Sequence, residues 1–197
     1  GYDITIKDMF LNPTIASMIP KLGNRTYGTI PKAPVQKDYV LTSSQHRLWI
    51  LSQFEGGNKA YNIPGSFELE GTLDVEHLKE AFYTVIARHE VLRTFFKRNE
   101  EGEVRQYIVD ALAIEFDIDC YDYSEVKDQE AALEKRVANS YKYQFDLGEA
   151  PLVRVTLVRL SDDRHVLLFN MHHIISDGWS MEILSKEFIT IYDHLVR

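Results

Sequence analysis

Toward the end of the chain, FNMHHIISDGWSM (169–181) sets two adjacent histidines at the close of an apolar run. Asp177, Gly178 and Trp179 follow at once. An imidazole titrates near neutrality, so it can accept a proton and return it during one reaction. Side chains alternate along a strand, so His172 and His173 should point to opposite faces, and only one can look into a given cleft. The same geometry disfavours a metal site. The two rings do not converge on one ion, Asp177 alone does not complete a ligand set, and no Cys–His cluster stands elsewhere. A plainer reading fits the local residues equally well. The histidines could be a hydrogen-bonded pair at a strand end, with Asp177-Gly178 as a turn and Ser180 near the start of a helix. Catalysis and structure both remain open at this level.

Other chemistries find little support. There is no G-x-S-x-G elbow and no glycine loop to cradle a phosphate. Cys120, in DIDCYDYS, lies among carboxylates that raise a thiol pKa, as suits a small packed cysteine better than a nucleophile.

The elements that must position the histidines follow from periodicity. SSQHRLWILSQFE (43–55) reads as a helix, and GSFELEG (65–71) as a strand with alternating Phe67 and Leu69. Residues 74–89 form a strongly amphipathic helix through Val75, Leu78, Phe82, Val85 and Ile86. LRTFFKRN (92–99) and EVRQYIVD (103–110) make a hairpin, and 125–143 a further helix with a charged face. LVRVTLVRL (152–160) and HVLLFNMHH (165–173) form a second hairpin. Its first strand alternates and should be half exposed; its second, continuously apolar, should lie deep in the sheet. WSMEILSKEFITIYDHLV (179–196) closes the chain as a helix. Helices interspersed with hairpins specify an α/β fold, a two-layer sandwich of a mixed sheet with helices.

The first residues stand apart. The apolar run around Met9 and Phe10 is followed by a turn opening a brief helix, with Pro13 near its first position and Ile15, Met18 and Ile19 on one face. Residues 23–38, GNRTYGTIPKAPVQKD, read as a linker.

With 45% hydrophobic and 26% charged residues the composition is that of a soluble globular protein. A net charge of -8 argues against nucleic acid as a partner. No apolar run suits a membrane helix, no signal peptide is visible, and a single cysteine suits the cytoplasm.

Three stretches, in order, resemble one family. MHHIISDGWS resembles the HHxxxDG signature of nonribosomal peptide synthetase condensation domains. RHEVLRTFF (88–96) resembles that family's RHExLRTxF motif, and TSSQHRLWIL (42–51) its SxAQxRLWxL opening, with Thr42 and Ser44 as departures. KDMFLNPTIASM (7–18) resembles the last helical segment of a peptidyl carrier domain, without that domain's phosphopantetheine serine. Tyr61-Asn62-Ile63-Pro64 is similar to the subclass accepting L-configured donors, with a dual epimerisation and condensation subtype also open.

The resemblance implies a chloramphenicol-acetyltransferase-like fold of two lobes with a channel between them. Residues 39–197 would be its N-terminal lobe, 1–22 a carrier tail and 23–38 the linker. The family's later Y-x-D-[FY]-A-V-W element does not appear, so a second lobe is expected as a partner and the isolated chain is expected to be inactive. The implied reaction, an acyl transfer of antibiotic-type secondary metabolism, is amide formation between a donor thioester and an acceptor aminoacyl thioester. Upstream and downstream carrier domains deliver both on phosphopantetheine arms beside an adenylation domain, and the lobe itself holds no cofactor. His173 is implied to be catalytic, with His172 packed behind the sheet. Asp177 is implied to pair with Arg88, and Gly178 to permit a backbone conformation or close approach that a Cβ would forbid. Trp179, Arg93, Arg47 and Trp49 are expected to pack as structural residues. A non-catalytic docking or dimerisation scaffold is the competing reading. Apolar surface left bare on one lobe would promote self-association.

Overall fold

A computed structural model describes residues 2–3, 6–21, 23–24, 31–54 and 56–197, in two compact units, Gly1–Val35 and Gln36–Arg197. Part of the expected linker, residues 25–30, lies outside the described residues.

In the first unit, β1 (Tyr2–Asp3) is followed by α1 (Ile6–Leu11), α2 (Ile15–Met18) and β2 (Gly23–Asn24), which pairs antiparallel with β1. Thr14, not Pro13, sets the start of α2. Its hydroxyl accepts from the Ser17 N–H while the Ser17 hydroxyl accepts from the Thr14 N–H, closing a capping box. Pro13 therefore precedes the cap, and the Met9–Phe10 run belongs to a helix of its own.

The second unit begins with β3 (Tyr39–Val40) and α3 (Ser43–Ser52), which opens on a Thr42–Gln45 capping box. It continues through β4 (Asn62–Glu70), α4 (Val75–Arg88), β5 (Thr94–Arg98), β6 (Val104–Ile108), β7 (Ile118–Asp122), α5 (Gln129–Tyr141), β8 (Val153–Arg159), β9 (Arg164–His172) and α6 (Gly178–Leu195). The principal sheet runs β4-β9-β8-β7, antiparallel except that β7 lies parallel to β8, and a smaller antiparallel sheet runs β3-β6-β5. This is the mixed α/β architecture the periodicity specifies.

Both faces of the principal sheet are covered. Leu78, Phe82, Val85 and Ile86 of α4 pack with Val153, Val155, Phe169 and Met171 of the strands, and Met181, Leu184 and Phe188 of α6 join them. On the other face Leu133 and Val137 of α5 lie against Val158, Val166 and Leu168. That second cover explains one departure from expectation. β8, read as half exposed from its alternation, is buried at Thr156 and Val158 as well as at Val153 and Val155. It is a central strand with helices above and below, so its small threonine sits among aliphatic neighbours. β7 had no counterpart in the periodicity, because DIDCY alternates too briefly to be distinguished from a loop.

Candidate active site

The end of β9 divides the two histidines. Antiparallel pairing sets Asn62 of β4 opposite His172, and the His173 N–H, 2.8 Å from the Tyr61 carbonyl, continues the register by one residue. His172 faces the core and is 0% exposed. Its Nδ1 accepts from the Ile174 N–H at 3.1 Å, so the ring proton of the neutral imidazole resides on Nε2. The ring meets Phe145 edge-on, with centroids 6.4 Å apart. Burial pushes the His172 pKa down to about 4; the Asn58 backbone opposes this weakly, and the neighbouring His173 charge adds to it. His172 is thus a neutral structural group at ordinary pH.

His173 faces the other way and is exposed. It lines an open cleft of about 460 Å³ with Arg47 and Leu48 of α3, Tyr61, Ser176 and Asp177. Four separate segments meet here: the first turns of α3, the turn before β4, the HHIISDG loop and the start of α6. A ring so placed has water on one side and a protein wall on the other, which suits a group that must meet a substrate and exchange protons with it.

Asp177 caps α6. Its Oδ1 accepts from the Ser180 N–H at 2.8 Å and from the Ser180 hydroxyl at 2.6 Å. The hydroxyl bond, then the backbone bond, holds this carboxyl below the usual carboxylate range, with a smaller contribution from His173. Asp177 is therefore an anion at the wall of the cleft.

The expected Arg88–Asp177 pair is replaced by another. Arg88, the last residue of α4, places Nη1 3.4 Å from Oε2 of Glu187 on α6, and His89 places Nε2 2.7 Å from the same oxygen. Glu187 lies ten residues beyond Asp177, about 15 Å along the helix axis. A guanidinium beside Glu187 is consequently remote from the cap, whose carboxylate already serves Ser180. The Glu187 carboxyl is held low chiefly by the His89 hydrogen bond, with the charges of His89 and Arg88 assisting.

Further expectations need correction. Gly178 does not lie in the left-handed region, and a Cβ there would meet nothing within 4 Å, so neither reason for a glycine applies. Trp179 is 76% exposed where packing was expected, because it falls on the side of α6 away from the core. Arg47 is exposed at the cleft rather than packed. Arg93 does pack, donating from Nε to the Ala87 carbonyl at 3.2 Å and from Nη1 to the Val109 carbonyl at 2.5 Å. Trp49 is half-buried, with the Arg98 guanidinium 4.8 Å from its ring centre. Cys120 is exposed where packing was expected, since it falls on the open side of the edge strand β7, and its pKa is raised, by partial desolvation first and by neighbouring carboxylates after. Tyr61, Arg47 and Ser176 reach the cleft without having been singled out for it. Only the strand register and the docking of α3 bring them there, and neither is written locally in the chain.

A profile of the family described as Condensation domain matches residues 35–197. A plipastatin synthase of Bacillus subtilis (strain 168) is 39% identical over 194 residues, covering 97% of this chain and 7% of that protein. Tyrocidine synthase 3 of Brevibacillus parabrevis is 36% identical over 194 residues, covering 96% of this chain and 3% of that protein. The chain spans less than a tenth of the length of these curated relatives. Among solved structures, the starter condensation domain of rhizomide synthetase superposes with a TM-score of 0.73 at 22% identity, over 82% of this chain and 38% of that one. The first condensation domain of the calcium-dependent antibiotic synthetase, in complex with a substrate analogue, superposes with a TM-score of 0.69 at 24% identity, over 78% and 36% of the two chains. At that identity the likeness carries the fold.

Proposed function

The chain belongs to the condensation-domain family, and from that premise we propose that the His173 cleft serves amide-bond formation in a nonribosomal peptide synthetase. In this reading residues 39–197 are the first lobe of the domain, residues 1–22 the tail of a preceding carrier and residues 23–38 the linker between them. A second lobe closes the cleft into a channel. Donor and acceptor carriers, the acceptor loaded by an adenylation domain, bring their thioesters in on phosphopantetheine arms. The setting is the cytosol, in keeping with a single cysteine and no membrane-spanning helix among the described residues.

The observation that carries the reading is the division of the histidines: His172 sealed and neutral in the core, His173 open on the cleft wall beside an ionised Asp177. The acceptor nitrogen attacks the donor carbonyl carbon, a C–N bond forms, and collapse breaks the C–S bond. The nitrogen gives up one proton and the departing sulfur takes one, and His173 carries it between them.

An α-amino group titrates at about 7.7–8.0, so roughly 10–20% is already neutral at pH 7, and obtaining the free amine costs on the order of 1 kcal/mol. Holding two tethered reactants in line contributes about 7–11 kcal/mol. His173 therefore acts first by positioning the amine and second by moving its proton.

The test is peptide formation by the full-length synthetase carrying this chain, with both carriers loaded. His173→Ala should lower single-turnover product formation by about 100-fold or more at unchanged carrier loading. Undiminished product at every pH would remove this role.

A further inference from the structure

Beside the His173 cleft lies a smaller recess, of about 170 Å³, between the 3₁₀ turn Glu90–Arg93 and the first turns of α6. We propose that this recess is a subsite for an aliphatic side chain of a substrate residue, with Val91 and Ile183 setting which side chains it admits. The assignment rests on the amide-forming reading above and extends it to selectivity.

Continuity with the site is the first ground: Ile175, Ser176 and Ser180 line both the recess and the His173 cleft. A substrate held at His173 therefore has the recess beside it, the two hollows meeting at these three residues. Chemistry is the second. Val91, Leu92, Ile175, Ile183 and Leu184 give the recess a hydrocarbon lining. Its titratable member, His89, has Nε2 engaged by Glu187. Size is the third. A cavity of about 150 Å³ lined by such residues accepts benzene, so a branched side chain of three to five carbons fits here.

The build is rigid at the base and open at the mouth. Leu92 and Ile175 are 5% and 4% exposed and belong to the main core, whereas Val91 and Ile183 are 41% and 45% exposed and form the rim. Glu187 lies one turn beyond Ile183 on α6, hence on the same side of the helix. Its bonds to His89 and Arg88 tie α6 to the turn that carries Val91 and so fix the width of the recess. This assigns the replaced Arg88 contact a purpose: it spans the gap between the two walls of the subsite.

Two variants, Ile183→Trp and Val91→Trp, fill the recess from opposite walls, so a folding defect in one does not decide the matter. In the full-length synthetase, leucine is compared with glycine first as donor and then as acceptor. The leucine-to-glycine ratio of kcat/KM should fall at least about tenfold in one of the two arms, and that arm identifies whose side chain is bound. Ratios unchanged within about twofold in both arms, for both variants, would overturn the subsite. Should the unsubstituted synthetase form no product, the amide-forming reading fails, and a binding measurement still decides the subsite. Methyl NMR of this chain with the N-acetylcysteamine thioester of leucine should shift Ile175 and Ile183 signals more than the glycine thioester does. Equal shifts from both thioesters would overturn it.

Discussion

Burial withdraws the His172 ring from water and leaves it neutral, with Nδ1 committed to the Ile174 N–H. Its pKa of about 4 in the folded state lies below the value near 6.5 that it has in an unfolded chain. Between those values the unfolded chain binds a proton that the folded chain refuses, so stability rises with pH across that window. The contribution is intact above about pH 6.5 and is lost as the pH falls toward 4, by about 3 kcal/mol in all. The urea midpoint of the chain should therefore drop steadily from pH 7 to pH 4.5. His172→Asn keeps an acceptor near Nδ1 but does not titrate, so it should flatten that dependence; an equally steep decline in the variant would show that other groups are responsible. His173, one residue on, lies exposed on the cleft wall, so a substrate can meet its ring without disturbing the core.

Among the elements, α6 matters most to the site, because the last two residues of HHIISDG, Asp177 and Gly178, are its cap and its first residue. Asp177→Ala removes the acceptor for two Ser180 bonds and should cost about 1 kcal/mol in thermal or chemical unfolding, while Asp177→Ser, another good cap, should recover most of it. Equal losses in the two variants would assign Asp177 a role other than capping. Arg88→Ala should behave differently from the buried-pair expectation. The Arg88 side chain is 54% exposed and 3.4 Å from Glu187, so the loss should stay within about 1 kcal/mol in the same measurement. Periodicity made some elements legible and not others. The amphipathic helix was expected at 74–89 and stands at Val75–Arg88, since Leu78, Phe82, Val85 and Ile86 describe one face unambiguously. The continuously apolar Val166–Phe169 run proved to lie in a fully covered strand. The strand at Ile118–Asp122, the burial of β8 under α5 and the partner of Arg88 were not legible. Each depends on which elements become neighbours, and spacing along one segment carries no record of that. The same holds for the cleft: HHIISDG drew attention to His173, while Arg47 and Tyr61 reach it only through tertiary packing.

At the scale of the whole molecule, the sides of α6 explain what the isolated chain should do in solution. Met181, Leu184, Phe188 and Ile191 pack on the core, yet Trp179 and Ile189 on the outer side are 76% and 57% exposed. The exposed Lys186–Glu182 ion pair stands on the same outer side, which is therefore mixed, but bare apolar side chains of this size still favour association. A net charge of -8 opposes it, but that repulsion between copies is screened within about 8 Å at physiological salt, whereas apolar contact is not weakened by salt. We therefore expect this chain to self-associate, and more strongly at about 0.5 M sodium chloride than at low salt, because screening relieves the repulsion. Light scattering across a concentration series should report a mass above that of the monomer, and Trp179→Glu combined with Ile189→Glu should return it toward the monomer. A monodisperse monomer at every concentration and salt, or an assembly indifferent to the double substitution, would mean that the outer side of α6 tolerates water on its own.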